Sequence, residues 1–332
     1  MARNLRRAPL QAAAAALLLV SLQPFVSCAE VRASSNPPGG LKPSETPQFI
    51  LWSFDDEINK ESTDLVLKVS EQRRNPNGCK VPVTWFACTS VFCDFQCDFA
   101  KKLHDAGHEI GVHTRTHAGL RFIYDRKTVE DEILGSRTDA LACGLPEGSV
   151  QGFRTPYLAT SPTVREVLSK GGFRYDSSIG VKGGKDKLWP ATLEKGMPYN
   201  CELGGGSECL PDESYPGFWE VPLYTTVEHE NLMDYCTVEG DGSKVAGCSA
   251  FEVLKKSLDE AYDSNRGPVT VGTHKAYMRD SEFSADVGKF LDYALSKPDV
   301  WVVTHQQLLD WMEAPVPTSQ MKSFMAQYEC AT

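Results

Sequence analysis

The chain has 332 residues and a formal net charge of −10. This acidic balance argues against nucleic acid or an anionic membrane as a partner and leaves a neutral or basic polymer compatible. The length fits one large α/β domain with a sizeable core better than two small domains.

The first 29 residues have the features of a secretory signal peptide. Three arginines precede an apolar run from Ala12 to Val20, and Ser27-Cys28-Ala29 provides the small-x-small pattern of a cleavage site. The apolar run is shorter than the roughly 20 residues that a bilayer span needs, so we expect cleavage near Ala29 and no transmembrane anchor. Loss of the three arginines changes the formal charge from −10 to −13. The protein is therefore predicted to be secreted, either extracellular or associated with a cell wall.

Residues 30–46 are rich in Pro, Gly and Ser without periodicity, which predicts a flexible lead-in. We expect the folded domain to occupy residues 47–313 and a C-terminal tail to occupy residues 314–332. Within the domain, strand-like and helix-like segments alternate, which predicts a parallel sheet with helical crossovers, open or closed into a barrel. The predicted strands contain FILWSF, VPVTWFA, HEIGVH, VQGFR, PVTVGTH and WVVTH. The predicted helices begin at Asn59 or span Phe99–Ala106, Lys127–Leu141, Pro162–Lys170, Ala285–Ser296 and Gln306–Met312.

Residues 181–247 interrupt this alternation. They are rich in Gly, Pro, Cys and aromatic residues, contain one clear strand, FWEVPL, and are expected to form long loops that shape a binding cleft. Ten cysteines remain after signal cleavage, and an even number in a secreted chain suggests disulfides. The sequence does not determine their pairing, but the shortest loops favour Cys201 with Cys209 and Cys236 with Cys248.

Polar and titratable residues collect where the predicted strands end. These residues are Asp55, Asp56, His113, Arg154, His274 and His305. The carboxyl ends of parallel strands meet at one edge of the sheet, which is where active sites of α/β folds lie. We therefore expect these side chains to form one site.

The sequence HEIGVHTRTH places His113 and His117 four residues apart at a strand end. If the chain turns into a helix after His113, both imidazoles lie on one face and share one cation. The spacing alone is a weak signal, because two solvated histidines are the commoner explanation. Two histidines and a carboxylate would make a hydrolytic metal site, with Asp55 or Asp56 as third ligand and the other beside the attacking water.

The segment GFRTPY contributes a third element to this edge. Arg154 at the strand end would pair with the catalytic carboxylate and orient it. The turn at Pro156 would direct the backbone amide of Tyr157 into the site, where it suits an oxyanion. On its own, however, Arg154 is better explained as a structural arginine in a surface ion pair.

The segments SFDDEIN, HTRTH and RTPY resemble, in order and spacing, three motifs of the polysaccharide deacetylases, which form carbohydrate esterase family four. The segments NPNGC, LWPATL and SYPGFWEVPL are similar to those of secreted eukaryotic chitin deacetylases. The resemblance runs from about Pro47 to Trp311. It implies a distorted (β/α) barrel of the polysaccharide deacetylase type, with long disulfide-held loops, as the fold of the catalytic domain at 47–313.

The resemblance also implies a role for each motif residue. Asp55 would be the general base, and Arg154 would orient it. Asp56, His113 and His117 would hold the metal, with Zn²⁺ as the default and Co²⁺, Mn²⁺ or Fe²⁺ also suited to two histidines and one carboxylate. Tyr157 would supply the oxyanion amide, and Trp189 would line the pocket for the acetyl group.

Two histidines compete for the role of general acid. His274 in VTVGTHKAY is followed by a loop and a helix, as in the chitin deacetylases, so it is favoured over His305 in VVTHQQLLDWM. The family usually has a leucine two positions before this histidine, and here the residue is Gly272. This difference puts the apolar wall of the acetyl pocket in doubt. Glu57 replaces a small residue after the two aspartates and would narrow the site.

The implied reaction is removal of N-acetyl groups from chitin or a related N-acetylglucosamine polymer, which releases acetate and leaves a chitosan-like product. We expect a monomer that binds N-acetylated polysaccharide and no nucleic acid. An O-acetyl esterase or a peptidoglycan deacetylase would use the same residues. A catalytically silent carbohydrate-binding wall protein remains the competing class, although every motif position is present in this chain.

Overall fold

The computed structural model describes residues 30–123, 125–203, 206–228, 231–237 and 243–328. The expected signal peptide and Cys330 lie outside these residues. The strands are β1 Gln48–Asp56, β2 Thr84–Ala87, β3 Glu109–Val112, β4 Gly152–Phe153, β5 Tyr175–Asp176, β6 Gly180–Val181, β7 Ala191–Leu193, β8 Tyr215–Glu220, β9 Leu223–Tyr224, β10 Val269–Thr273 and β11 Val300–Val303. The helices are α1 Lys60–Ser70, α2 Cys97–Asp105, α3 Arg126–Ala142, α4 Pro162–Lys170, α5 Ala250–Tyr262, α6 Lys275–Met278, α7 Ser281–Leu295, α8 His305–Glu313 and α9 Met321–Met325.

One curled sheet organises the domain. Its strands follow the order β10-β1-β2-β3-β4-β5-β8-β7, and β11 also pairs with β1. The neighbouring strands run parallel, except for β7 and β8. The expected distorted barrel is thus confirmed, in the form of a half-barrel. No helix in the described part of the chain is long and apolar enough to cross a bilayer.

Strand β1 is buried on both faces, which explains its continuous apolar sequence. Ile50, Trp52 and Phe54 pack into the core between the sheet and the helices. Phe49 and Leu51 pack into a second core on the inner face of the half-barrel. Because successive side chains alternate, Asp55 lies on the inner face and its neighbour is directed elsewhere.

The strand register brings several strand ends to one level. Phe54 of β1 lies opposite Thr273 of β10, and Asp56 lies opposite Ala87 of β2. Strands β3 and β4 continue the same parallel ladder. Residues that follow β3, β4 and β10 therefore emerge beside the two aspartates of β1.

The segment expected to be a flexible lead-in is hydrogen-bonded to the domain. The Val31 amide donates to Thr192 Oγ1 of β7 at 2.9 Å, and the Thr192 amide donates back to the Val31 carbonyl at 2.9 Å. The Trp189 amide donates to the Ser34 carbonyl at 2.9 Å. Residues 30–46 thus have defined contacts, although their Pro-rich and Gly-rich composition predicts flexibility.

The loop-rich stretch at residues 181–247 contains more strand than the sequence predicts. Besides β8, it contains β7 and the small parallel pair of β6 with β9. The predicted disulfides Cys201–Cys209 and Cys236–Cys248 are confirmed. Two further disulfides join Cys88 to Cys93 and Cys97 to Cys143.

Candidate active site

Asp56, His113 and His117 converge at the end of β1. One potential ligand atom from each lies within 4.8 Å of the other two, and no other group of three His, Cys, Asp or Glu residues in the described part of the chain does this. Asp56 Oδ1 is 2.9 Å from His117 Nε2 and 3.5 Å from His113 Nε2. The structure therefore brings together the three residues that the sequence selects for a metal.

The two histidines do not lie on a helix, so that part of the prediction is wrong. His113 follows β3, and its amide donates to the Ala87 carbonyl at 2.8 Å. Thr114 and His117 then have φ of 62° and 64°, in the left-handed region that side chains with a Cβ rarely adopt. The imidazoles are brought together by this irregular loop, with ring centroids 5.2 Å apart.

The carboxylate of Glu132 in α3 stabilises this loop by hydrogen bonds. Its carboxylate accepts hydrogen bonds from the amides of Arg115, at 2.9 Å, and Thr116, at 2.8 Å. The Thr116 hydroxyl donates to the same carboxylate at 2.6 Å. Backbone amides that a helix would have used are satisfied in this way, which explains why a non-helical loop is stable here.

The hydrogen bonds of Asp56 and His113 suit a cation. His113 Nδ1 donates to the Arg154 carbonyl at 2.9 Å, which orients Nε2 towards Asp56. Burial opposes ionisation of Asp56, but the hydrogen bonds from His113 and His117 outweigh it and hold the pKa of this carboxyl well below its usual range. Two imidazole nitrogens and one carboxylate are a donor set that Zn²⁺ and similar divalent ions accept.

The backbone at Asp56 separates its side chain from that of Asp55. Asp56 has a φ of 88°, a strained conformation for a residue other than glycine. This turn directs the Asp56 carboxylate to the histidines, whereas Asp55 continues the inner face of β1. The carboxylates of Asp55 and Asp56 can therefore contact different groups although the two residues are adjacent.

Asp55 is 2% exposed and is held by Arg154. Arg154 Nη1 donates to Asp55 Oδ1 at 2.7 Å and to Ser53 Oγ at 2.8 Å. Its Nε donates to the Ser177 carbonyl at 2.9 Å, and its guanidinium lies 4.1 Å from the centre of the Phe86 ring. The guanidinium is thus fixed on several sides, which orients the Asp55 carboxylate.

Tyr157 lies on the far side of His117. Its ring is 68% exposed and meets the His117 imidazole edge-on, with centroids 5.1 Å apart. Its φ of 58° follows Pro156 in a single tight turn. The Tyr157 amide donates no hydrogen bond to another described residue, so it is available to an incoming oxyanion.

His274 follows β10, whose last residue pairs with Phe54 of β1. Its Nδ1 is hydrogen-bonded to Asp234 Oδ2, and its amide donates to Asp234 Oδ1 at 2.9 Å. Burial disfavours the charged imidazole, but the carboxylate of Asp234, helped by Asp55 and Asp56, raises the pKa of His274 to about 10. His274 is therefore protonated at neutral pH and faces the same acids as the metal ligands.

Sequence reasoning did not identify Asp234. It lies in NLMDYC, within the irregular stretch, where a lone aspartate has no pattern to mark it. The Asp234 amide donates to the Gly272 carbonyl at 3.0 Å, and Tyr235 Oη donates to the Thr270 carbonyl at 2.9 Å, so the loop docks on β10. A Cβ on Gly272 would lie 2.5 Å from Met233 Cγ, which means that Met233 fills the space of the missing side chain.

His305 lies away from this edge. It is 1% exposed, its Nδ1 is 3.0 Å from Thr84 Oγ1, and its ring stacks on Tyr175 with centroids 5.5 Å apart. Burial, with a smaller contribution from Arg154, lowers the pKa of His305 well below its usual value. The structure therefore places His274, and not His305, beside the aspartates.

Trp189 is also not brought to the site. It is 1% exposed and stacks on Trp311 with ring centroids 5.7 Å apart. Trp311 contacts Phe49, which lies at the opposite end of β1 from the aspartates. Trp189 therefore lies in the inner core near the start of β1, away from the aspartates.

Glu57 forms an ion pair with Lys275 at the lip of the site. These residues directly follow Asp56 and His274, and their side chains are 12% and 24% exposed. The pair bridges β1 and α6. Glu57 therefore does not present a free negative charge to a substrate.

Comparisons with known proteins can be set beside this geometry. Residues 42–175 match the model of the polysaccharide deacetylase family. Chitin deacetylase 1 of Bombyx mori is 28% identical over 301 residues, which cover 86% of this chain and 55% of that protein, so the chain spans about half the length of this relative. A chitooligosaccharide deacetylase of Sinorhizobium fredii is 32% identical over 170 residues, which cover 49% of this chain and 74% of that protein.

A solved structure shares the fold. The crystal structure of a "probable polysaccharide deacetylase" from Pseudomonas aeruginosa PAO1 has a TM-score of 0.57 and 16% sequence identity. The superposition covers 83% of this chain and 96% of that chain. At this identity the likeness describes the arrangement of strands and helices and not the activity.

Proposed function

We propose that this chain, which belongs to the polysaccharide deacetylase family, hydrolyses N-acetyl groups of chitin or a related N-acetylglucosamine polymer. Membership confirms the resemblance seen in the three sequence motifs. The names of the two curated relatives support chitin-type substrates. The observation that carries the proposal is the meeting of a base, a cation site and a protonated imidazole at one edge of the sheet.

Asp55 is the proposed general base. Its carboxylate takes a proton from the water that attacks the acetyl carbonyl carbon, and Arg154 keeps it in position. The amide of Tyr157 donates a hydrogen bond to the developing oxyanion. His274 donates its proton to the leaving nitrogen, the C–N bond breaks, and acetate and a free amine result.

Asp56, His113 and His117 are the proposed metal ligands. The fit rests on their mutual distances, on the low pKa of the Asp56 carboxyl and on the hydrogen bond that fixes His113. A divalent ion held there would polarise the acetyl carbonyl and make bound water more acidic. Zn²⁺ is the proposed ion, with Co²⁺, Mn²⁺ and Fe²⁺ as alternatives.

The proposed location is outside the cell, in solution or at a wall. Disulfides persist in oxidising compartments, and four are present among the described residues. The acidic chain would suit a product that becomes cationic as acetyl groups are removed.

The decisive experiment replaces Asp55 by asparagine. We expect Asp55→Asn to abolish acetate release from chitin oligomers while the metal content of the purified protein persists. The matched variant Asp56→Asn should lose both activity and metal, because it removes a ligand. Full activity of Asp55→Asn would contradict the assignment. Parallel assays with O-acetylated xylan and peptidoglycan would identify the preferred acetyl group.

A further inference from the structure

Two adjacent apolar residues, Val91 and Phe92, project from the edge of the sheet that carries the site. Their exposed fractions are 88% and 92%, the highest among the large apolar residues of the described chain. They lie in the short loop between Cys88 and Cys93 that follows β2. We call Val91 and Phe92 the apolar tip.

The loop that carries the apolar tip is tied to both segments that carry the metal ligands. The Cys88 amide donates to the Asp56 carbonyl at 2.8 Å. The Ser90 amide donates to the carbonyl of Arg115, between His113 and His117, also at 2.8 Å. A disulfide closes the loop, so the apolar tip has a fixed position relative to the site.

Exposed rings flank the metal site on both sides. Tyr157 follows β4, whereas the apolar tip follows β2, and β3 with the His113 loop lies between these strands. Scattered apolar residues on a surface are ordinary, but an adjacent exposed pair on a disulfide-closed loop beside the candidate site suits contact with a ligand. The apolar tip lies between Ser90 and Cys93 and itself carries no charge, which suits an uncharged partner.

We propose that the apolar tip is a remote subsite for the polysaccharide chain, which contacts a sugar ring beyond the residue being deacetylated. This inference rests on the proposed function, because it takes the polymer of the same site as its ligand. The C–H face of a pyranose ring is flat and apolar, so it can stack on Phe92 while the chain crosses the His113 loop towards Tyr157. Short substrates would not reach the apolar tip, so it should contribute only to long ones.

The test compares substrates of increasing length. For Phe92→Ala, we expect kcat/KM to fall about two- to tenfold on long N-acetylglucosamine oligomers, the range typical of one aromatic contact. On the shortest oligomer that the parent chain deacetylates, kcat/KM should not change. Phe92→Trp should keep the preference for long oligomers, because it keeps an aromatic face. Leu210→Ala is the matched control, since Leu210 is 45% exposed but lies beside α4 and β8.

Binding gives a second measurement that does not need turnover. Phe92→Ala should co-sediment with insoluble chitin less than the parent chain does. Equal binding, or an equal loss on short and long oligomers, would overturn the inference while the proposed function stands. If Phe92→Ala and the parent chain sedimented differently in the absence of chitin, the apolar tip would be a contact between two copies of the chain. That result would also overturn the inference. Absence of acetate release from every substrate by the parent chain would refute the proposed function itself.

Discussion

The ends of β10 and β11 each carry a histidine, and the two side chains have opposite environments. His274 is paired with Asp234, and its pKa is raised to about 10. His305 contacts Thr84 and two aromatic rings, and burial lowers its pKa well below the usual value. A carboxylate favours the charged form of one imidazole, and the other is neutral and packs like an aromatic side chain.

The strand register explains this difference. Strand β10 runs alongside β1 as far as Phe54, whereas β11 pairs only with its first half, where Leu51 lies opposite Val303. His305 therefore enters the inner core several residues before the edge where Asp55 lies. Two residues that both end a strand can thus lie at different depths of one half-barrel, and only the residue at the rim has access to a substrate.

The largest effect should come from replacing each of the two histidines in turn. We expect His274→Ala to lower the rate of acetate release by about 10²–10⁴-fold, the contribution typical of a general acid. His305→Phe should keep that rate, because it preserves the packing against Tyr175. It should cost about 1 kcal/mol in the free energy of unfolding for the lost contact with Thr84. Acetate release at neutral pH and urea denaturation measure the two effects.

The opposite pattern would overturn the comparison. If His305→Phe were inactive with its fold intact and His274→Ala were active, the general acid would lie on β11. Metal content must be measured in both variants, because loss of the ion would imitate loss of the acid.

Asp234 should account for the proton on His274. In the folded protein the acid form of His274 exists below a pKa of about 10, so activity that needs this proton declines as pH rises through that value. Asp234→Asn removes the main charge that raises the pKa, so the alkaline decline of kcat should begin at a lower pH. At neutral pH we expect a loss on the order of tenfold. Asp186→Asn, which changes an exposed carboxylate, is the control. If kcat of Asp234→Asn declined at the same alkaline pH as kcat of the parent chain, Asp234 would not be the group that raises the pKa of His274.

Local patterns in the sequence predict the parallel sheet with helical crossovers, and the resemblance to the polysaccharide deacetylases adds the distorted barrel and the roles of the candidate site residues. Alternating strands and helices, the ends of the strands, and the spacing of Asp55, Asp56, His113 and His117 are all visible along the chain. The preference for His274 also comes from the resemblance, because the loop and helix that follow it are similar to those of the chitin deacetylases. These features need no knowledge of long-range contacts.

The remaining features depend on contacts that no local pattern reveals. Asp234 reaches His274 from an irregular loop, and Glu132 supports a loop that spacing alone predicts as helix. Trp189 has a short sequence match to a pocket residue, yet its indole packs on Trp311 at the other end of β1. Helix α5 follows the irregular stretch directly and was not among the predicted helices. For Asp234, Glu132 and Trp189, tertiary packing determines the outcome, whereas α5 has a local signal, because the Ser249 side chain accepts a hydrogen bond from the Glu252 amide at its N-terminus.

The smallest effect should come from the ion pair beside His274. Glu57→Ala leaves the ammonium of Lys275 without its carboxylate in a partly buried position, where a second cation disfavours the proton on His274. We expect a cost of about 1–2 kcal/mol in the free energy of unfolding, below that of a fully buried pair, and a decrease of kcat by a few fold. Denaturation and acetate release measure these effects.

A second ion pair, between α1 and the residue that follows α6, provides the control. Glu61 of α1 binds Arg279 at 2.6 Å, and the two side chains are 50% and 53% exposed. Because water screens this pair, Glu61→Ala should cost much less stability than Glu57→Ala and leave kcat unchanged. The charge exchange Glu57→Lys with Lys275→Glu should recover most of the lost stability. Equal losses from Glu57→Ala and Glu61→Ala would show that the Glu57–Lys275 pair only joins two segments of the fold and does not act on His274.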